Sequence, residues 1–354
     1  MKNVVLFGVL NWGLGHATRS IPIIQSLQRL NYQVIICSDG DALVLLQKEF
    51  PQASFVTLPA YHIRYAHSSM PLNIARYGLG LLKTIYQEEQ QLKELVKQYS
   101  PLYIISDNRY GFHHAKVKSI IITHQLYIPT PNQWQGQAAS HFLHRYIENF
   151  DVCWIPDAAE AYNLSGDLAH DVELAIPMRY IGFLSRLEQQ DLPQKYDIAF
   201  ILSGPEPQRS QLEKMILEQV DKMDVSCILI RGTVTTTHNI SISKSTLEII
   251  DLADSETLSN IISQSCMVLS RAGYTTIMDL VALRKCAILI PTPGQPEQEY
   301  LAEHLSDLFT GFTFFNQYDL DMTTLDFKSS KWEDRGELSA WSDATLVSLL
   351  EELG

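Results

Sequence analysis

Short β-branched apolar runs alternate with longer amphipathic stretches along the whole 354-residue chain, and the alternation starts twice. The first series predicts strands over 3–10, 33–38, 53–58, 102–106, 119–123, 152–155 and 178–183. The second predicts strands over 196–203, 225–231, 246–251, 266–270, 286–291 and 312–315. Between and after them, periodic stretches predict helices over 17–30, 40–49, 72–98, 137–149, 208–223, 255–264, 274–283, 297–308 and 337–352. Apolar strands that alternate with helices must lie in parallel sheets covered on both faces. The expected fold class is therefore α/β, with two doubly wound domains. The polar stretch from Glu188 to Lys195 reads as the linker between them.

Composition narrows the partners. Lys and Arg number 27 against 40 Asp and Glu, a net charge of −13, so no basic stripe exists to neutralise a nucleic-acid backbone. No run of 18 apolar residues occurs, which excludes a spanning helix. The opening Val4 to Leu10 run leads into Asn-Trp-Gly-Leu-Gly-His, without a small-residue cleavage site. It reads as a first strand and not as a signal peptide. Cys37, Cys153, Cys227, Cys266 and Cys286 are odd in number and form no CxxC pair. They read as reduced thiols, which places the protein in the cytoplasm. Two readings stand for 72–98: a long core-packed helix, or a surface over 72–86 that is apolar and basic (Arg76, Lys83) and touches a lipid or a partner.

Three loop–helix junctions carry the chemistry. In the first, Gly13 and Gly15 flank Leu14 and lead into His16 at a helix start. Gly-x-Gly permits a tight turn and close ligand approach, while the helix end offers N–H groups and a positive dipole. A dinucleotide fingerprint needs a third glycine where Thr18 stands, so a nicotinamide enzyme is an incomplete match even with Asp39 ending the second strand. His16 is placed either to accept a hydroxyl proton or to bridge loops. The second junction runs from Ser270 through Arg271, Ala272 and Gly273 to Tyr274 and Thr275. Its N–H groups and hydroxyls suit a diphosphate, and Asp279 within the helix suits a ribose. The third, Ile290 to Tyr300, presents Gln295, Gln298 and Glu299, whose amide and carboxylate groups suit a polyhydroxylated ligand. A tight turn or a capped helix start would also account for either junction.

In order and spacing, these junctions resemble the MurG-like group of GT-B glycosyltransferases, most closely from Ser270 to Glu299 and in the Gly-Leu-Gly-His loop. The resemblance implies two Rossmann-like domains facing a cleft: an acceptor domain over 1–186, a nucleotide-sugar donor domain over 187–335, and a C-terminal helix over 336–354 that returns to the first domain. It implies that His16, with Gly13 and Gly15, matches the N-terminal glycine-rich loop. Arg186, Ser203 and Gly204 then lie near the donor diphosphate, Asp279 stands in place of a ribose-binding glutamate, and Gln298 and Glu299 stand in place of two glutamines on the sugar. The loop Glu248 to Ala253, with Leu252, matches the one that reads uracil. The implied activity is inverting, metal-independent transfer of a hexose such as N-acetylglucosamine from a UDP-sugar to an acceptor hydroxyl. UDP-sugar is then substrate, with no cofactor. The acceptor is a glycan or lipid-linked molecule of cell-envelope synthesis, and the enzyme sits in the cytoplasm or on the inner face of the membrane.

Asp107 is a second candidate base, and Asn108, Arg109, His124 and Gln125 are candidate acceptor-binding residues, because all lie at strand ends. Asp39-Gly40-Asp41 has the letters of a metal-binding DxD motif but sits in the turn after the second strand and reads as a loop. Two other activities use the same features, a UDP-sugar 2-epimerase and a nucleotide-sugar hydrolase, and a non-catalytic nucleotide-sugar-binding protein would share them.

Overall fold

The computed structural model describes residues 3–61, 70–130, 132–160, 162–233, 247–327, 331–332 and 340–353; the side chains of 70–79 lie outside that description. The chain divides into two compact units, Met1–Leu184 with Ser339–Gly354, and Ser185–Leu338. Each is built on one parallel sheet.

The N-terminal unit contains β1 (Val4–Val9), α1 (Gly15–Arg29), β2 (Gln33–Ser38), α2 (Gly40–Glu49), β3 (Ser54–Thr57) and α3 (Met70–Tyr99). These are followed by β4 (Tyr103–Asp107), β5 (Lys118–Ile122), α4 (Gln133–Ile147), β6 (Val152–Ile155) and β7 (Met178–Tyr180). Its sheet order is β3-β2-β1-β4-β5-β6-β7, with every pairing parallel. The order reverses between β1 and β4. Side chains at the carboxyl ends of those two strands therefore face a shared crevice, the place where open α/β sheets collect ligands. Strands β1, β4 and β5 are buried almost end to end, as a doubly covered sheet requires.

The C-terminal unit contains β8 (Tyr196–Ile201), α5 (Gln208–Val220), β9 (Cys227–Ile230), β10 (Leu247–Ile250), α6 (Ser255–Ser263) and β11 (Ser265–Arg271). After these come α7 (Tyr274–Ala282), β12 (Ala287–Ile290), α8 (Pro296–Ser306) and β13 (Phe312–Phe314). Its order is β10-β9-β8-β11-β12-β13, again parallel, with the reversal between β8 and β11. Phe200, Leu229, Leu269 and Ile288 of the strands close over Leu212 and Ile216 of α5. The stretch expected to be a linker instead lies along α6. The Glu188 and Gln190 amides donate to the hydroxyls of Ser259 and Ser263, and the Lys195 amide donates to the Gln264 carbonyl. Its polarity reflects exposure on one side of that contact.

The last helix, α9 (Asp343–Glu351), belongs to the N-terminal unit. Ser342 caps it by accepting from the Thr345 amide. It begins later than the periodicity predicts; 337–339 lie outside the described residues, and Ala340 bridges Phe183 in extended form. Leu346, Leu349 and Leu350 are buried, Trp341 donates to Ser26 Oγ at 3.0 Å, and Asp343 accepts two bonds from Arg29. Cys37, Cys153, Cys227 and Cys286 are buried free thiols, and Cys266 is half-buried. No helix among the described residues is long and apolar enough to cross a membrane.

Candidate active site

In the N-terminal unit, the turn after β1 passes through Gly13 at φ +71, a left-handed conformation that favours glycine, and α1 starts at Gly15. His16 and Arg19 are three residues apart and so share one helix face. That face meets the end of β4. Asp107, fully buried, accepts from His16 Nδ1 at 2.7 Å, from Arg19 Nε at 2.7 Å and from Ser20 Oγ at 3.2 Å; Arg19 Nη2 closes on its other oxygen. Arg19 Nη1 donates to His124 Nδ1 at 2.9 Å.

Burial alone would push the Asp107 carboxyl up, but the Arg19 charge and then His16 outweigh it and hold the group well below the usual carboxylate range. Asp107 is therefore ionised and can only accept. A bare Nδ1 lone pair at 2.7 Å from a carboxylate would be repelled, so His16 Nδ1 carries its proton and Nε2 carries the lone pair. Arg19 Nη2 also lies 3.0 Å from Nδ1, but that nitrogen's short bond is to Asp107. Burial and the Arg19 charge lower the pKa of His16 against the opposing pull of Asp107. Its imidazole is thus neutral at pH 7, and no hydrogen bond to Nε2 is made among the described residues. A neutral ring backed by a carboxylate is built to take a proton.

The other expected acceptor residues separate. His124 is tied into this group through Arg19. Asn108 is buried in the left-handed region at φ +55, with its Oδ1 unpartnered. Gln125 is half-buried, and its amide bonds the Thr123 hydroxyl. Arg109 is a correction: it is fully buried and faces the interior. Glu88 of α3 pairs with its Nε, Asp39 accepts from Nη1 at 2.8 Å, and the Val9 and Pro59 carbonyls take further bonds. A buried guanidinium needs such partners, so these contacts make Arg109 a strut joining β1, β2 and α3 and not an acceptor contact. Asp39 is engaged by the same strut and by Asn11, which removes it as a ribose ligand. Sequence reasoning assigned nothing to Arg19, Ser20 or Glu88; the three-residue spacing of His16 and Arg19 was the available signal.

In the C-terminal unit, β11 ends in Arg271, which is 1% exposed. It donates to Gln317 Oε1 at 2.7 Å and to the carbonyls of Gln208 and Pro291, meets no carboxylate among the described residues, and its Nε is unpartnered there. Burial pulls its pKa down to about 10. An uncompensated buried cation at a strand end favours an anion beside it. Ala272 is buried, and Gly273 caps α7 with no side chain to close the helix end before Tyr274 and Thr275. After β8, Ser203 and Gly204 are exposed; Gly204 is at φ +97, and a Cβ built on it would stand 4.0 Å from Thr292 Oγ1, itself buried without a partner. The reversal of strand order thus gathers Gly204, Arg271, Gly273 and Thr292 at one end of this sheet.

Asp279 turns to the start of the unit. It accepts from Ser185 Oγ at 2.7 Å and from the Arg186 amide, and burial pushes it up to about 6 against the Arg186 charge. Arg186 itself donates to Ser255 Oγ at 3.1 Å, with its Nε unpartnered. Gln295, Gln298 and Glu299 brace their own loop: Gln298 Oε1 accepts from the Thr292 amide, its Nε2 bonds Gln295, and Glu299 accepts from the Gly294 amide at 3.0 Å. Leu252 is half-buried just after β10.

Residues 207–337 match the glycosyltransferase family 28 C-terminal domain. An uncharacterised glycosyltransferase of Methanopyrus kandleri is 21% identical over 299 residues, covering 79% of this chain and 83% of that protein. Among solved structures, a spinosyn forosaminyltransferase superposes with a TM-score of 0.64 at 10% identity, over 100% of this chain and 99% of that one. A spinosyn rhamnosyltransferase complexed with thymidine diphosphate gives 0.62 at 12%, over 93% and 90%. MurG of Acinetobacter baumannii gives 0.51 at 12%, over 100% and 91%. The structural likenesses establish the fold, and the domain match adds its chemistry class: by architecture and by its C-terminal domain, the chain is a glycosyltransferase of the GT-B type.

Proposed function

We propose that this chain transfers a hexose, N-acetylglucosamine or a close relative, from a UDP-sugar to an acceptor hydroxyl, with inversion and without a metal ion. The observation that carries the reading is the His16–Asp107 pair, a 2.7 Å contact that leaves the His16 Nε2 lone pair unengaged among the described residues. In the proposed step the acceptor hydroxyl gives its proton to Nε2 as its oxygen attacks the anomeric carbon, and Asp107 stabilises the imidazolium through Nδ1–H. The bond from the sugar to the diphosphate breaks, and negative charge collects on the departing UDP. That charge is met by Arg271, which has no carboxylate partner among the described residues, by the α7 N-terminus at Gly273 to Thr275, and by Arg186. Ser203 and Gly204 line the diphosphate, Leu252 lies against the base, and Gln295, Gln298 and Glu299 face the sugar. The neighbour that holds thymidine diphosphate supports a nucleoside diphosphate donor.

The test is a donor panel read by melting temperature and by product. UDP raises Tm more than dTDP, ADP or GDP, and His16→Gln keeps that shift while kcat falls by about 10²–10⁴-fold. Equal shifts from all four nucleotides would remove the uracil assignment, and an epimer or free sugar formed from UDP-N-acetylglucosamine without acceptor would replace transfer by epimerisation or hydrolysis.

The acceptor we propose is a glycan or a lipid-linked hydroxyl. Leu82 and Tyr86 of α3 and Trp134 and Phe142 of α4 are exposed, which supports peripheral contact with a lipid surface; of the 72–86 segment, the side chains of 72–79 lie outside the described residues. Vesicles of anionic lipid should sediment the protein, and Trp134→Ser with Phe142→Ser should release it. Failure of the unsubstituted protein to sediment removes the lipid contact.

A further inference from the structure

Arg19 lies at the centre of the N-terminal cluster, and nothing in the proposed transfer yet uses it. It is 1% exposed, and its guanidinium joins its own helix to the ends of β4 and β5. Nε and Nη2 grip both oxygens of Asp107 at the end of β4, Nη1 bonds the His124 ring after β5, and Nη2 lies 3.0 Å from Nδ1 of His16 one helical turn away. Such a planar fork can hold a carboxylate in one orientation in a way an ammonium cannot. Guanidinium nitrogens only donate, so His124 Nδ1 accepts, and this tautomer is fixed by Arg19.

We propose that Arg19 is a positioning residue for this site: its two-pronged grip sets the Asp107 carboxylate against His16 Nδ1–H, so that the ring presents Nε2 to the acceptor. The proposal rests on the transfer reading for its purpose, but its geometry stands without that reading.

Three charges or rings face His16 from the elements around it. Arg19 is on the same helix and opposes protonation. Asp107 on β4 favours it, and His124 after β5 opposes it when charged. The Tyr110 phenol beside Arg19 and Asp107 is pushed up by burial and stays neutral. Without Arg19, the pull of Asp107 on His16 would be opposed only by burial and by His124. The ring would hold a proton to higher pH and lose its lone pair when a base is needed. A carboxylate gripped from one side only would also rotate, and the His16 ring would turn with it.

The experiment compares the full-length protein with Arg19→Lys and Arg19→Gln. The readout that needs no activity is an NMR titration of ¹³C,¹⁵N-histidine-labelled protein, with His16 assigned by loss of its signal in His16→Gln. Arg19→Gln should move the His16 midpoint up by about one pH unit. Arg19→Lys should leave the midpoint near that of the unsubstituted protein, because the charge remains. Where transfer is measurable, kcat should fall about 10-fold in Arg19→Lys and about 100-fold in Arg19→Gln, with donor KM unchanged. The acid limb of kcat/KM should move to higher pH in Arg19→Gln alone. Should Arg19→Gln fail to fold because Asp107 is left buried and unpaired, Arg19→Gln with Asp107→Asn is compared with Asp107→Asn alone, and the double variant should titrate higher. A folded variant without Arg19 whose His16 midpoint and ring tautomer match those of its reference overturns the proposal. If the NMR shifts appear but no donor is consumed, the transfer reading fails and the positioning role stands.

Discussion

Asp279 and Asp107 are both buried carboxylates, and their surroundings treat them in opposite ways. Asp107 is held ionised by Arg19 and His16, whereas Asp279 is pushed up to about 6, chiefly by burial. An unfolded Asp titrates near 3.9, so the folded state binds a proton at Asp279 more tightly than the unfolded state does. The stability from that proton is fully present below about pH 4 and is lost as pH rises through 6. Asp279→Asn should therefore raise unfolding free energy at pH 7.5 by on the order of 2 kcal/mol, with the gain fading between pH 6 and 4 in urea titrations. Arg109 predicts the reverse kind of change. Its removal leaves Glu88 and Asp39 buried without their cation, so Arg109→Ala should cost about 3–5 kcal/mol and leave the UDP-induced Tm shift intact if the variant is folded. His16 stood out in the sequence behind a Gly-x-Gly turn at a helix start, and Asp107 at the end of an apolar strand. Arg109 follows the same strand and looked the same. What separates it is Glu88, 21 residues upstream on another element, and no local pattern announces that pairing.

At the scale of the element, the β-branched runs gave up their strands to within a residue or two, because a doubly covered strand has almost no polar positions to blur its ends; the exception is β7, which ends three residues early at the sheet edge. Helix starts were less legible. α4 begins at Gln133, four residues before its apolar periodicity, because Asn132 caps it by accepting from the Trp134 amide. The short 3-10 turn Gly166–Leu168 was not legible either; it is organised by the buried Asp157 carboxylate, which accepts from the Leu164 and Ser165 amides. The loop after β8 carries a prediction of its own. Gly204 is left-handed with open space around its Cβ position, so Gly204→Ala tests the backbone conformation without a clash. About 1 kcal/mol of stability should be lost. If the diphosphate approaches this turn, UDP affinity should also weaken, as calorimetry would read.

For the molecule as a whole, the two reversals of strand order explain why so few positions in a long chain carry the chemistry. Each sheet has one crevice, and the glycine-rich turns and His16 lie at those two places. The role of the loop after β12 was the least legible part, since Gln295, Gln298 and Glu299 bond their own backbone and one another as readily as a hydroxyl. Trp341, Asp343 and the buried leucines of α9 lie on the N-terminal unit although more than 150 residues separate them from β7 in sequence. A ribosome making this chain thus releases the first sheet long before the strap that covers part of it. Until the final helix emerges, Ser26 and Arg29 meet water, and the earlier-made half waits, incomplete, while the later-made half can already close.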